Sequence, residues 1–152
     1  MNIASRWKIT YDPAGSNPVV LVDNGQQIDA EIPWSVERPM EVVPLVDSAV
    51  PFIRPSGNAS FRIDFTAFES QSTDYNARFE ALAWLEYWQT LPKKPLKIQF
   101  ATAAGGVLSL PYFIFSSCFI SSFQPSRIIE NGSPILAKKY SIIAAGLTRV
   151  TS

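Results

Sequence analysis

The sequence predicts a mainly β fold, a β-sandwich or split barrel, with a single flanking α-helix at about 73–91. Three observations carry this. Apolar and polar residues alternate through several short runs, most regularly over Ala59 to Phe68, the period of two that a half-buried strand requires. Asp-Pro, Asn-Gly and Gly-Gly pairs separate the runs, and such pairs favour turns. Only Thr73 to Leu91 is long, free of Gly and Pro and rich in Ala, Leu and Glu, all good helix formers.

A chain of 152 residues suits one domain, here 1–152 with a proline-rich arm or loop at about 33–57. The 47% apolar and 17% charged content is that of a globular protein. Thirteen basic and thirteen acidic residues cancel, and no run of Lys or Arg exceeds two. That argues against a nucleic-acid surface, which needs clustered basic charge. Cys118 is the single cysteine, so no intrachain disulfide forms, and its setting predicts a small buried thiol on a strand. The absence of histidine removes the commonest metal ligand and general base. The first residues lack an apolar signal core, and Leu110 to Ile120 is too short to span a bilayer. The expectation is a soluble protein made in the cytoplasm.

Taken in order, Arg6 to Tyr11 alternates as a strand, and Asp12-Pro13-Ala14-Gly15 is a turn. Val19 to Val22 is a second strand. Asp23-Asn24-Gly25 predicts a tight hairpin, because Asn-Gly accepts positive φ, with Gln27 to Ile32 returning as the third strand. Between 33 and 55 stand five prolines among Val36, Val42, Val43, Leu45, Val46, Val50, Phe52 and Ile53. Proline removes a ladder donor, so this region reads as edge strands or an extended arm. It is too apolar for a free linker, and lies either across its own core or on a neighbour. Ala59 to Phe68 places Phe61, Ile63 and Phe65 inward, with Arg62, Asp64 and Thr66 outward.

The helix is capped by Thr73 or Asp74 and stopped ahead of Pro92. At about 100° per residue, Ala77, Ala81, Trp84, Leu85 and Trp88 share one side, and Tyr75, Phe79, Leu82, Ala83 and Tyr87 the other. A helix apolar on two sides is covered on two sides. The expectation puts the Tyr75–Phe79–Leu82 side on the sheet. The Ala77–Trp84–Trp88 side is then left for the arm, a loop or a neighbouring subunit. Beyond the helix, Leu96 to Phe100, Val107 to Leu110, Tyr112 to Phe115 and Cys118 to Phe123 read as strands. Gln124-Pro125-Ser126 opens a loop, Glu130 to Ser133 turns, and Ala137 to Leu147 is a long last strand.

No constellation carries chemistry. Asp29 and Glu31 share a predicted strand face without further oxygen ligands. Asp23-Asn24-Gly25 lacks the later acidic positions of a calcium loop. No serine has a nucleophile-elbow setting or a histidine partner. Trp34, Trp84 and Trp88 could stack on sugars, but each reads as core or interface. No catalytic, metal or cofactor residue is predicted.

Phe61-Arg62-Ile63-Asp64-Phe65, then Arg78 to Trp88, then Leu96 to Phe100 with the Gly105-Gly106 turn, resemble the tail-tube fold of long-tailed phages and related contractile machines. That group includes tube proteins, tail terminators and distal tail proteins. The resemblance covers about Trp7 to Val150 as a pattern of elements. It implies a non-enzymatic virion protein of the tail tube, tip or baseplate. It further implies a homo-oligomer, six copies to a ring, with other tail or baseplate proteins as partners, no membrane, and DNA only as a passenger through the lumen. The candidate subunit contacts are Ala77, Ala81, Trp84, Leu85 and Trp88 on the helix, with Val42, Val43, Leu45, Phe52 and Ile53 on the arm. The alternative is a small β-sandwich module recognising carbohydrate or a host receptor.

Overall fold

Two long strands and the turn between them form the spine of the molecule. The computed structural model describes residues 3–4, 6–38, 40–44, 49–53, 59–102 and 106–152. The spine strands are β10 (Val107–Glu130) and β11 (Ser133–Val150). They pair from Tyr112↔Val150 to Glu130↔Ser133. Asn131 and Gly132 turn between them at φ 52° and 78°, the double positive φ that matches the twist of paired strands.

Before the spine come β1 (Ile3–Ala4), β2 (Trp7–Tyr11), β3 (Val19–Val22), β4 (Gln27–Ile28), β5 (Trp34–Glu37), β6 (Met40–Pro44), β7 (Ala49–Ile53), β8 (Ser60–Ser70), α1 (Asp74–Trp88) and β9 (Lys94–Ala101). Nine strands form one open antiparallel sheet in the order β1-β4-β8-β11-β10-β9-β2-β3, with β5 sharing the edge of β8. The predicted mainly β fold with one flanking helix is therefore present.

The sheet rolls. β3 and β4 stand near its opposite ends, yet only the short turn Asp23 to Gln26 joins them. Across the same seam the Trp7 and Trp34 rings meet edge-on at 4.5 Å, and Trp7 Nε1 donates to the Glu31 carbonyl at 2.9 Å. The inner face then closes on one apolar cluster including Ile9, Leu21, Ile63, Leu96, Cys118 and Ile142. Cys118 is buried as expected, and burial pushes its thiol up to about 12.

Several sequence expectations are corrected. β3 and β4 make no hairpin: β3 pairs with β2, while β4 crosses to β8. The third strand ends at Ile28, not Ile32, because Asp29 turns in to bond Thr66. Its carboxylate accepts from Thr66 N at 2.7 Å, and its own N–H donates to Thr66 O at 3.1 Å. Asp29 and Glu31 therefore share no strand face.

Gln124-Pro125-Ser126 is not a loop but continuous strand. Pro125 lies opposite Lys138 on a strand whose other edge pairs with nothing among the described residues, the kind of edge position where proline is tolerated in a sheet. β10 also runs through Pro111, which follows a cis peptide bond.

β10 changes its inward side twice. Phe113 and Phe115 face in, then Cys118 and Ile120, then Phe123. The first switch is a bulge against β9 between Phe115 and Cys118, and the second a bulge against β11 between Ile120 and Ser122. A bulge adds one residue and re-aims the side chains that follow. Gly146 answers the first switch from β11. Its φ is +74°, and any Cβ there would overlap Ser116 Oγ, so both backbone and space require glycine.

Candidate assembly surface

α1 is held at both ends. Thr73 caps it, its Oγ1 accepting from Asn76 N at 3.1 Å. Asp74 in the first turn accepts from Arg127 of β10 at 2.8 Å and pairs with Arg78 at 3.1 Å. At the other end Trp88 is buried among Tyr11, Phe123 and Tyr140, with ring centroids 5.3 to 6.4 Å apart. Burial, then the Glu69 charge, raises the Tyr140 hydroxyl well above its ordinary range. Tyr11 is pushed up to about 12, chiefly by burial, while its hydroxyl donates to the Pro92 carbonyl at 2.7 Å.

The helix lies with its sides reversed from the sequence expectation. Ala77 and Trp88 are buried against the chain's own sheet, Trp84 packs on the same core, and Ala81 is half-buried. Ala77 and Trp88 are thus core residues of the single chain. Of the five helix candidates only Leu85 is exposed. The side expected to meet the sheet faces outward instead: Tyr75 is 72% exposed, Leu82 68% and Phe79 56%, with Tyr87 and Ala83 also exposed. Tyr75 and Phe79 stack at 6.1 Å. The reason is steric: Ala77 and Ala81 let the helix backbone approach β10 and β11, so the two tryptophans can reach across the sheet.

A lysine is locked beneath this helix. Lys138 is 4% exposed; its Nζ donates to Glu69 at 3.0 Å. Its stem carries the charge to the helix edge, where buried cations require partners.

The arm candidates divide. Val42 and Val43 lie on β6, and Phe52 and Ile53 on β7; these strands form a separate two-stranded hairpin, paired only with each other among the described residues. Leu45 lies outside the described residues.

Sequence reasoning missed a second surface, the edge of β10 beyond Cys118. β9 leaves β10 at the Lys94↔Cys118 pair. From Phe119 to Glu130 the strand pairs only with β11 among the described residues. Such an edge is a template for another strand. Exposed Ile128 and Ile129 lie on it. The signal available in the sequence was the length of alternation past Cys118, which Pro125 disguised.

On the outer face, Asp64 accepts from Arg62 at 2.8 Å and from Ser141 at 2.7 Å. Burial pushes its carboxyl up, but these bonds and the nearby Lys139 outweigh it and hold the pKa below the ordinary 3.8. Among the described residues, no cluster of three or more Cys, Asp or Glu could hold a metal ion. Nor is any helix there long and apolar enough to cross a membrane.

No protein-family model matches the sequence, and no curated protein is similar to it. The fold does match a solved structure, a chain of the anti-feeding prophage baseplate, determined by cryo-electron microscopy with six-fold symmetrisation. The match covers 98% of this chain and 95% of that one, with a TM-score of 0.52 and 8% identity. The chain therefore shares the fold of a baseplate component from end to end.

Proposed function

We propose that this protein is a non-enzymatic structural subunit of a phage-type tail or baseplate, located in the virion or an equivalent particle. The observation that carries this is the match to the prophage baseplate chain, which covers 98% of this chain and 95% of that one. The chain assembles with copies of itself into a ring, six-fold by analogy with the symmetrised baseplate, and with other tail proteins. The edge of β10 past Cys118, which pairs with no strand but β11 among the described residues, supports ring assembly, since head-to-tail contacts form rings where their rotation closes. A zero formal net charge suits a lumen through which DNA slides, because clustered cations would grip phosphates.

Light scattering after size exclusion, with negative-stain images of the same fractions, tests the reading. Closed rings of uniform diameter are expected. A compact monomer at every concentration would sink it.

A further inference from the structure

The exposed side of α1 has a natural occupant. Tyr75, Phe79, Leu82, Leu85 and Tyr87 leave roughly 600 Å² of side chain open, taking ~150–250 Å² for each aromatic. That is close to the ~800 Å² per partner of a standard interface and at the upper end of what a monomer ordinarily leaves exposed. Within the single chain this face is open.

The hairpin has the opposite need. Its strands read Met-Glu-Val-Val-Pro and Ala-Val-Pro-Phe-Ile, with Glu41 the only charged residue. Apolar residues at consecutive positions make both faces of a strand pair apolar, and an isolated two-stranded hairpin is marginal in water. Among the described residues it joins no strand of the large sheet. One molecule thus carries a hairpin of apolar sequence and an apolar helix face, on separate elements.

We infer that the β6–β7 hairpin of one copy docks on the Tyr75–Phe79–Leu82 face of α1 in a second copy. The inference rests on the reading of the chain as a self-assembling subunit and names the contact. It is heterologous, so each copy gives a hairpin and receives one, and the contact propagates from copy to copy. It also replaces the pairing expected from sequence, which put the arm on the tryptophan side.

Engineered cysteines test it, since the single native thiol, Cys118, is buried. Phe79→Cys is placed in a chain with one tag, and Phe52→Cys or Val43→Cys in a chain with another. Thr148→Cys, on the exposed end of β11, is the control. Circular dichroism verifies that each variant folds. After mixing and mild oxidation, the α1–hairpin disulfide between tags should exceed the control by at least about tenfold, because docking raises the local thiol concentration. Yields equal to the control overturn the inference, as does a Phe79→Cys, Phe52→Cys double variant that closes within one chain regardless of dilution. Rings without the enriched disulfide sink this contact and leave the ring reading standing. The enriched disulfide in dimers or open chains supports the contact and sinks ring closure.

Discussion

The ammonium of Lys138 stands 4.8 Å from the centre of the Trp84 ring. A cation on the face of an indole, with Glu69 on its other side, ties α1 to β11 and β8 at once.

Breaking that tie from the acidic side should cost more than its exposure suggests. Glu69→Gln leaves a charge buried under the helix, and a loss of about 1–3 kcal/mol is expected, the cost of an unsatisfied buried polar group. Lys138→Met, which removes the charge and keeps the stem, should cost less. Urea unfolding of both single variants and the double variant measures the coupling. Independent, additive effects would show that the ion pair does not hold the helix.

Trp88→Ala should damage the monomer itself. Truncating a buried aromatic costs ~3–5 kcal/mol, against a total of about 5–15 kcal/mol for an ordinary domain. Thermal melts followed at the helix band should show a large drop in Tm. Phe79→Ser, on the exposed side, should shift monomer stability by no more than about 0.5 kcal/mol. If Trp88→Ala melts like the parent and loses only assembly, the orientation of α1 described above is wrong.

Gly146→Ala should destabilise through two separable causes. The left-handed backbone costs a non-glycine residue about 1–2 kcal/mol, and the methyl meets Ser116 Oγ. Adding Ser116→Gly should recover the steric part only. Full recovery in chemical denaturation would mean that the backbone at 146 is unstrained.

Acid should weaken the outer face through Asp64. Its folded pKa lies below its unfolded one, so its contribution is complete above the unfolded value and is lost as pH falls through the folded value. The loss begins below about pH 4, where an ordinary aspartate protonates. Stability measured from pH 6 down to pH 2 should fall less steeply in Asp64→Asn. The effect is modest, because the side chain is 47% exposed and solvent screens it. An unchanged slope would remove Asp64 from the account.

What could be read from the residues was local. The alternation of Phe61, Ile63 and Phe65 placed β8, and Thr73 marked the start of α1, because strand pitch and helix capping are set by neighbours in sequence. What could not be read was decided at a distance. The two sides of α1 are both apolar, so periodicity cannot rank them; contact with β10 and β11 does. Asn24–Gly25 makes a tight turn as its residues require, with Gly25 at φ +90°, but where the chain goes next depends on the roll of the whole sheet. Pro125 signals a break only if both edges of its strand are paired. The apolar excess of α1 was legible in composition; which of its sides the chain's own sheet covers was not.

The helix precedes in sequence the strands it rests on. α1 is complete at Trp88, but its buried side packs on β10 and β11, reaching Tyr140, 52 residues later. Contacts between distant segments form slowly, and a chain emerging from the ribosome holds its early segments unpartnered until the later ones arrive. Trp84 and Trp88 are therefore in water during synthesis, and β8 waits for the same last strand. Losing that strand would strand helix and sheet together, so this protein's folding should be decided late and at once.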